Sequence, residues 1–448
     1  MGLDGDITWP ENLKLLSAFV SKNPAAKFLR LQYLDLCGIL RVRLIPVKRA
    51  QEIYKRGSFT HIPKGPLVLL PNDIPSPEFS PLGEYILYPD FRSIRLGGRQ
   101  GYVTVQCDMR ELDLDEVERC PRTTLKRATK TAKKQGIDFL VGFEIEVMFL
   151  KASTDEDGEL VYDVPQPKSQ SHGYSSASAL HDQSTMHMVE DILSHLEASG
   201  IGVEQWHAEG AVSQFEFDLS PQAPIHAVDT LLAARDIIMT IANVYGLRAT
   251  LHPKPFPDRL GSGAHIHFSM TPPHLVNQMV AGMLKHMSAI MAFTYSKPAS
   301  YERICDSMLA GSRWICWGTR NREVTLRLVE GSHYELRCAD GFANMYLAVA
   351  ALLCAGTLGV IDDEILMHKD CQEDPANLGV QGRSELGIRN QLPTSFALAL
   401  GQLREDSELQ SALGQGIADC YWSVKQGEGR LLEGMNPGQR RNLLVERY

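Results

Sequence analysis

Near the start of the chain, apolar and polar side chains alternate on both sides of a short turn. The alternation covers residues 28–45, and the turn between its two halves contains Gly38. Period-two alternation around a glycine-containing turn is typical of a β-hairpin. Seven prolines between residues 63 and 89 then disfavour helix. We therefore expect a small β-rich N-terminal domain over residues 1–105.

Beyond residue 105, segments with helical spacing of apolar residues alternate with short apolar strands. Helices are predicted at 121–135, 180–199, 222–246, 272–293 and 342–359, and strands at 139–150, 211–219, 247–252, 264–270 and 323–330. The stretch 151–178 is rich in Ser, Asp and Gly and is predicted to be a loop. This mixture indicates an α+β domain over residues 106–448, built on a largely antiparallel sheet.

The composition narrows the class of protein. With 44% hydrophobic and 22% charged residues among 448, the chain can bury a large core. Its net charge of −9 argues against a nucleic-acid binder. The densest basic stretch has apolar residues at helical spacing, so we interpret it as a solvated helix face: Arg122, Lys126, Arg127, Lys130, Lys133 and Lys134.

Nothing in the sequence predicts a membrane or secreted protein. No apolar run reaches the ~18–20 residues that a membrane span needs. The nine cysteines are odd in number and contain no C-x-x-C pair, and no secretory signal is evident. We expect reduced thiols and a cytoplasmic protein without membrane or nucleic-acid partners.

Two acidic residues interrupt a predicted strand that is otherwise strongly apolar. Glu144 and Glu146 lie two residues apart in segment 141–150 and therefore project from the same face. Two adjacent buried carboxylates repel, so they bind cations, pair with Arg or Lys, or hold a proton. From the residues alone, a metal or catalytic role and a structural ion pair both remain open.

A second acidic segment spans residues 209–219. Glu216 and Asp218 share one face of the predicted strand, whereas Glu209 lies an odd number of residues before Glu216. A turn or bulge at Gly210 would bring Glu209 and Glu216 to one site. The alternative is a half-exposed strand with a polar outer face.

Histidines add nitrogen donors to these carboxylates. His265 and His267 share one face of a short predicted strand behind a glycine-rich turn, and imidazole suits divalent ions, although an isolated H-x-H pair is a weak signal. Glu335 and Arg337 alternate onto one face in the same way. A mostly oxygen donor set without cysteine favours Mg²⁺ or Mn²⁺ over structural zinc, and a nucleotide triphosphate would complete the coordination.

Arginines complement the acidic residues. Planar guanidinium groups suit the bidentate recognition of carboxylate and phosphate, but they can equally serve to neutralise the glutamates. No Walker or Rossmann glycine motif is present, which disfavours the ordinary nucleotide-binding folds. The candidates are Arg303, Arg322, Arg327 and Arg337.

The order of these motifs resembles that of glutamine synthetase-like enzymes over residues 25–448. Each motif is modest, but their joint order is highly specific. The matching stretches include D-L-C-G-I-L-R at 35–41, G-F-E-I-E at 142–146, Q-F-E at 214–216, A-T-L-H-P-K-P at 249–255, G-S-G-A-H-I-H-F-S at 261–269, N-R at 321–322, E-L-R at 335–337, D-G-F-A-N-M-Y at 340–346 and E-R-Y at 446–448.

The resemblance implies a small β-grasp N-terminal domain and a large glutamine synthetase-like catalytic domain with a curved antiparallel sheet. It implies two or more Mg²⁺ or Mn²⁺ ions, ATP as co-substrate, glutamate and an amine as substrates, and ring-shaped homo-oligomers with active sites between subunits. By position, it assigns one metal to Glu146, Glu209 and Glu216, a second to Glu144, His265 and Glu335, the nucleotide to His267, Ser269, Arg327 and His333, and the acid substrate or phosphoryl group to Arg303, Arg322 and Arg337.

The chain departs from the glutamine synthetase pattern at positions near the substrates. Residues 57–62 lack the aspartate that helps to form the ammonium site, and Leu309 stands where the family has a flap glutamate. Ala299 replaces an asparagine and His333 replaces an arginine. Loss of two ammonium-binding acids suggests a larger, less polar amine. Trp314 and Trp317 either wall an apolar amine pocket or pack in the core.

The leading hypothesis is therefore an ATP-dependent ligase that joins the γ-carboxyl of glutamate to an amine through an acyl phosphate. A glutamine synthetase that uses ammonia is the alternative within the same class. A non-catalytic relative is a second class, but it would have no reason to keep six mutually repelling ligand positions. A guanidino-phosphate kinase is disfavoured by the hairpin and by the motif at 261–269.

Overall fold

The computed structural model describes residues 7–156, 158–165, 173–180, 182–306 and 313–448, with the backbone alone at 178 and 179. Its N-terminal part holds two α-helices and six strands. These elements are α1 (Trp9–Lys22), β1 (Phe28–Leu34), β2 (Leu40–Pro46), α2 (Val47–Lys55), β3 (Thr60–Pro63), β4 (Glu84–Pro89), β5 (Arg95–Leu96) and β6 (Tyr102–Arg110).

The six strands form one mixed sheet in the order β2-β1-β6-β4-β3, with β5 also paired to β6. The antiparallel pairing of β1 with β2 confirms the predicted hairpin. Strand β1 also pairs with β6 in parallel, the one parallel contact among this sheet's described pairings. Strand β6 continues through Arg110, past the division expected at residue 105. The two-domain division and the β-grasp topology stay predictions.

The rest of the chain forms a second, larger sheet with helices around it. Its first elements are α3 (Pro121–Lys134), β7 (Asp138–Thr154), β8 (Leu160–Asp163), α4 (Ser176–Ala179), α5 (Gln183–Ala198), β9 (Val203–Ala208), β10 (Gln214–Leu219), α6 (Pro224–Val244), β11 (Arg248–Thr250) and β12 (Ile266–Thr271). They are followed by α7 (Val276–Lys285), α8 (Met287–Thr294), β13 (Trp317–Thr319), β14 (Leu326–Glu330), β15 (His333–Leu336) and α9 (Met345–Ile361).

Nine strands of the described residues form this second sheet, in the order β13-β14-β15-β12-β7-β10-β9, with β8 and β11 also on β7. Its described pairings are antiparallel except that of β13 with β14. The predicted α+β class with a largely antiparallel catalytic sheet is therefore confirmed. Strand β7 is the centre of the sheet, and its residues Phe143, Ile145 and Val147 are buried on the face that packs against the helices.

Strand β7 is longer than predicted. Residues 151–154 pair with 160–163 of β8, so the predicted loop over 151–178 is wrong in its first part. Gly158 closes the turn at a φ of +82°, a conformation that suits glycine. The polar side chains of this strand pair gave no apolar alternation from which a strand could be recognised.

The helices confirm most of the sequence predictions. Those expected at 121–135, 180–199, 222–246 and 342–359 are α3, α5, α6 and α9, whereas the one at 272–293 is interrupted at His286, between α7 and α8. Helix α9 is buried around most of its circumference and packs against α3 and α7, which explains its uniform hydrophobicity. Eight of the described helices were not predicted. Three are α1, α2 and α4, and five follow α9: α10 (Val380–Glu385), α11 (Phe396–Glu405), α12 (Ser407–Leu413), α13 (Gln415–Glu433) and α14 (Pro437–Arg447).

The basic stretch in α3 is not uniformly solvated. Arg122 is 2% exposed and forms ion pairs with Asp90, Asp108 and Asp229. The interpretation as a solvated face is therefore wrong for Arg122. Among the described helices, none combines the length and the apolar character that crossing a bilayer requires.

Candidate active site

Four carboxylates meet on the open face of β7 and β10. The register of this antiparallel pair places Glu146 opposite Glu216 and Glu144 opposite Asp218. Facing side chains in such a pair have Cβ atoms about 4.5–5.5 Å apart. The local sequence makes this arrangement unavoidable, because the apolar residues between the acids are buried on the other face.

A second row of polar side chains crosses the neighbouring strands. Glu335 on β15 faces both His267 on β12 and Arg327 on β14. On its other side His267 faces Gly142 of β7, which has no side chain to fill the space. The row therefore continues the acidic face of β7 across the sheet.

His265, just before β12, joins the two rows. Its Nδ1 atom contacts a carboxylate oxygen of Glu144 and lies 3.3 Å from Glu335 Oε1 and 3.9 Å from Glu146 Oε1. Its Nε2 atom lies 3.2 Å from Arg303 Nη2. The imidazole of His265 thus touches both predicted sets of acidic ligands.

The turn before His265 requires a glycine at one position. A Cβ atom on Gly263 would lie 2.7 Å from each of three functional atoms: Arg303 Nη2, Glu146 Oε1 and His265 Nε2. No side chain fits at that distance. Gly263 therefore lets an arginine, a glutamate and a histidine approach one another.

Glu209 reaches the same face through a tight turn, as predicted. The turn between β9 and β10 is closed by the Glu209 N–H, which donates to the Gln214 carbonyl at 2.8 Å, and Ser213 has a φ of +61°. His207 on β9 lies opposite Glu216 and approaches both acids, at 3.9 Å from Glu209 Oε2 and 3.7 Å from Glu216 Oε1.

Crowding of the carboxylates changes their protonation. Burial, together with Glu144 and Glu146, raises the pKa of Glu216 to about 11. Burial also raises the pKa values of Glu146 and Asp218. For Glu144 and Glu335 burial acts in the same direction, but His265 beside Glu144 and Arg337 beside Glu335 outweigh it and lower both pKa values. Without an added cation, this face cannot carry all of its negative charges at once.

The predicted arginines surround this face. A cleft of about 570 Å³ is lined by every predicted metal ligand except the fully buried Glu335, and by Arg303, Arg322, Arg327, Arg337 and His333. Arg327 Nε lies 2.8 Å from Glu335 Oε2, Arg337 contacts Glu335 Oε1, and Arg337 Nε donates to the Arg322 carbonyl at 2.9 Å. The alternative that arginines neutralise glutamates thus describes two of the four, both of which pair with Glu335.

Two of the residues predicted to bind the nucleotide, His333 and Ser269, lie in different cavities. His333 Nε2 lies 2.8 Å from His267 Nδ1, and His267 Nε2 lies 2.9 Å from Glu144 Oε1, so the three side chains form a chain of contacts. Ser269 does not line the 570 Å³ cleft but an adjoining cavity of about 1080 Å³, which shares Pro221 with it.

The positions that depart from the family pattern lie in different parts of the structure. His61 lies on β3, where its Nδ1 atom is 3.1 Å from Glu84, and it does not line the cleft. Ala299 is buried, and Leu309 lies outside the described residues. Trp314 stacks against Arg383 at 4.1 Å and Trp317 packs against Tyr334, and neither lines the cleft. The packing alternative therefore describes both tryptophans.

Four residues of the site were not predicted as site residues from the sequence. Asp218 continues the row of Glu216 and was visible in the alternation of its strand. Gln214 is fully buried and donates through Nε2 to Glu146, the Gly261 carbonyl and Ser262. Tyr174 donates to Glu209 at 3.2 Å and its ring lies edge-on to that of His207. For His207 and Tyr174 the sequence offered no pattern signal.

The donor set fits a divalent cation. Within the described residues, four groups of three side chains bring ligand atoms within 4.8 Å of one another: Glu144–Glu146–His265, Glu144–His267–Glu335, His207–Glu209–Glu216 and Glu144–Glu216–Asp218. These groups contain carboxylates and imidazoles without a thiolate. Oxygen-rich sets of this kind suit hard ions such as Mg²⁺ or Mn²⁺.

Comparison with known proteins gives the family. Residues 118–437 match the family described as "Glutamine synthetase, catalytic domain". The chain is 37% identical over 438 residues to "Protein fluG" of Emericella nidulans, an alignment that covers 97% of this chain and 50% of that protein. The chain thus spans about half the length of that relative.

A second relative and a solved structure are similar to this chain over nearly the full length of each protein. The chain is 29% identical to "Gamma-glutamylpolyamine synthetase GlnA3" of Streptomyces coelicolor, over 91% of this chain and 90% of that one. The structure titled "GmaS/ADP complex-Conformation 1" shares the fold with a TM-score of 0.80 at 21% identity, over 96% of this chain and 99% of that one. The predicted family and its class of ATP-dependent carbon–nitrogen ligases are thereby confirmed, and the chain belongs to the glutamine synthetase catalytic-domain family.

Proposed function

We propose that the protein joins the γ-carboxyl of glutamate to an amine, using ATP to form an acyl phosphate. One observation carries the proposal. Five of the six predicted metal ligands line a single cleft together with four arginines, and the sixth, Glu335, is buried 3.3 Å from His265 of that lining, although the six come from distant parts of the chain. This arrangement suits phosphoryl transfer, in which the protein contributes positioning and charge neutralisation.

The carboxylates would hold two divalent ions, Mg²⁺ or Mn²⁺. By the family resemblance, Glu146, Glu209 and Glu216 would form one set and Glu144, His265 and Glu335 the other. The ligand atoms that lie close together in the described residues group differently, with Glu146 beside Glu144 and His265, and with Glu209 and Glu216 beside His207. When bound, the ions would neutralise charge on the nucleotide phosphates and on the transferring group. The raised pKa of Glu216 supports this role, because a carboxyl that is protonated in isolation becomes an anionic ligand when a cation arrives.

The remaining polar groups would orient the two anionic substrates. Arg327 and Arg337 are held by Glu335, so their guanidinium groups are fixed beside the cleft before a substrate enters. Together with Arg322 they would bind the phosphates, while Arg303 would bind the acid. His267, His333 and Ser269 would contact the nucleotide.

An amine rather than ammonia is proposed because acids expected at an ammonium site are replaced. His61 stands in the segment that lacks the aspartate, and Leu309 stands in place of the flap glutamate. A relative named for gamma-glutamylpolyamine synthesis is similar over nearly its full length, which supports amines as substrates. Ammonia stays the competing substrate, since Tyr174 and Glu209 still offer a polar pair that suits a small cation.

The wider setting is also a proposal. We expect a cytoplasmic, ring-shaped homo-oligomer whose N-terminal domain, about residues 1–105, contributes to the active site of a neighbouring subunit. Light scattering coupled to size exclusion would measure the number of subunits. A monomer with full activity would contradict the shared site.

The decisive experiment is a coupled ADP-release assay with Mg²⁺ or Mn²⁺, ATP and glutamate. Ammonia, methylamine, putrescine, spermidine and benzylamine would be compared, with mass spectrometry of the products. We expect glutamate-dependent turnover that is fastest with one of the amines. Equal or faster turnover with ammonia would identify a glutamine synthetase instead.

A matched pair of variants separates ligase chemistry from background ATPase activity. Glu335→Gln removes a predicted metal ligand that lies 3.3 Å from His265, whereas Glu84→Gln removes a carboxylate on strand β4 that does not line the cleft. The first variant should abolish product formation and the second should leave it unchanged. Retention of product formation by Glu335→Gln would exclude the proposed metal site.

A further inference from the structure

Behind the active-site cleft lies a fully buried charge group made of Lys297, Lys425 and Glu428. The side chain of each is at most 1% exposed. Lys297 Nζ lies 3.2 Å from Glu428 Oε1, and Lys425 Nζ lies 2.5 Å from Glu428 Oε2. Buried ion pairs of this kind seldom increase stability over apolar packing, so their presence calls for another role.

Lys297 holds together three distant parts of the chain. Its Nζ atom donates to the Cys37 carbonyl at 2.9 Å, in the turn between β1 and β2, and to the Phe342 carbonyl at 3.4 Å. Its ion pair with Glu428 adds α13. Burial lowers the pKa of Lys297 to about 8, with Glu428 acting against that shift, so the ammonium stays charged at neutral pH.

Further residues pack closely around Lys297. The Tyr448 hydroxyl also donates to the Cys37 carbonyl, at 2.8 Å, and Lys297 Nζ lies 4.3 Å from the Tyr448 ring centroid. Gly38 approaches so closely that a Cβ atom there would lie 2.8 Å from the Phe342 oxygen. Lys297 therefore has well-packed neighbours on several sides and cannot move independently of them.

Lys297 immediately precedes the segment that delivers Arg303 to the cleft. A short 3-10 helix spans Pro298–Arg303, and its Ser300 N–H donates to the Lys297 carbonyl at 3.1 Å. Arg303 is itself held by Tyr295, whose hydroxyl accepts from Nη1 at 2.7 Å. In the sequence, Lys297 thus lies between Tyr295, which holds the Arg303 guanidinium, and Arg303 itself.

We infer that Lys297 is a positioning residue for Arg303, which it fixes by tying the Pro298–Arg303 segment to the turn of the first hairpin and, through Glu428, to α13. Lys297 does not line the cleft. The inference rests on the proposed function only in taking Arg303 as the residue that binds the acid. Its consequence is that geometry in the N-terminal hairpin sets the affinity for that acid.

The test compares two buried lysines that share one partner. Lys297→Met removes the lysine that precedes the Arg303 segment, and Lys425→Met removes the equally buried lysine on α13. We expect Lys297→Met to raise the KM for glutamate about tenfold, since small displacements of a binding group have large effects on rate and binding. The KM for ATP should change by less than about twofold in either variant.

Hydrogen exchange followed by mass spectrometry provides a readout that does not depend on the substrate. Exchange over residues 298–303 should increase in Lys297→Met and stay unchanged in Lys425→Met. If Lys297→Met does not fold, Glu428→Gln decides through the same two measurements, with the same direction of change expected.

The outcomes separate the two proposals. An unchanged KM for glutamate with unchanged exchange over 298–303 would overturn the positioning role, as would equal effects of the two lysine variants. If the unaltered protein shows no glutamate-dependent turnover, the proposed function fails, and exchange over 298–303 alone then decides the role of Lys297.

Discussion

The protein contains two buried clusters of carboxylates, which differ in how far nearby cations neutralise their negative charge. In the Arg122 cluster, three aspartates surround one guanidinium: Asp108 at 2.7 Å, Asp229 at 2.7 Å and Asp90 at 2.9 Å. Lys126 adds a second cation at 2.5 Å from Asp108. The cluster joins the end of β4 and strand β6 to helices α3 and α6.

The acidic face of β7 and β10 is compensated chiefly at Glu144, which His265 and His267 contact. Glu144, Glu146, Glu216 and Asp218 face one another, and the raised pKa of Glu216 reports their repulsion. In the Arg122 cluster, by contrast, nearby cations overcome the effect of burial and lower the pKa values of Asp90 and Asp108.

The difference indicates which cluster serves structure and which serves chemistry. Carboxylates whose charge is already matched fix the arrangement of the elements that carry them. Carboxylates whose charge is unmatched favour the entry of a cation from solution. Each of the following predictions tests one side of this contrast.

The largest effect is expected from Glu216→Gln. The glutamine resembles the protonated carboxyl of the metal-free protein but is a poor metal ligand. Turnover should fall by about a thousandfold, the order seen when a preorganised charge-stabilising group is lost. Urea unfolding in EDTA should show a free energy of unfolding close to that of the unaltered protein. A large loss of stability in EDTA would instead assign Glu216 a structural role.

Arg122→Met should have the opposite profile. It leaves three aspartates buried without their shared partner, and removal of one side of a buried ion pair costs about 3–5 kcal/mol. Urea unfolding would measure the loss, with Lys126→Met as the milder control because the Lys126 side chain is 27% exposed. A cost below about 1 kcal/mol would mean that the ion pairs of the cluster do not stabilise the arrangement of these strands and helices.

Binding of Mn²⁺ should stabilise the protein through the acidic face alone. At a concentration of 100 times its Kd, a ligand of the native state adds about 2.7 kcal/mol to the free energy of unfolding. We expect this gain in the unaltered protein and in Lys126→Met, and a smaller gain in Glu216→Gln, which keeps the second predicted set of ligands. Thermal unfolding with and without Mn²⁺ is the measurement. Equal stabilisation of all three proteins would place the ion elsewhere.

The smallest effect concerns acid pH. Because the pKa of Asp108 in the folded chain lies below its usual value of 3.8, its stabilising contribution is complete above that value and is lost as the pH falls below it. The gap in free energy of unfolding between the unaltered protein and Asp108→Asn should therefore narrow as the pH falls from about 5 to about 3. A gap that widens toward low pH would reverse the assigned sign.

Local pattern predicted the parts of the site that depend on strand geometry. Side chains two residues apart on a strand must share a face, so the pairing of Glu144 with Glu146 and of His265 with His267 followed from the sequence. Glu209 needed an additional turn, and the glycine beside it made that turn predictable. The assignment of these residues to particular metals came from family resemblance and stays a prediction.

Contacts between distant segments were not predictable in this way. The parallel pairing of β1 with β6 joins residues about seventy positions apart, and no local pattern encodes it. Arg122 was misinterpreted because a basic residue at helical spacing has the same pattern whether water or aspartates surround it. His207 and Tyr174 enter the cleft through tertiary packing, which likewise leaves no periodic signal.

The close approach at Gly263 has a practical consequence for anyone who wishes to redirect this protein toward another substrate. Even a methyl group there would displace three functional side chains at once, so directed-evolution libraries should keep that codon fixed. Diversity belongs instead at exposed cleft residues such as Leu260, which is 38% exposed and is none of the predicted ligands or arginines. Changes there alter selectivity while the reacting centre stays intact.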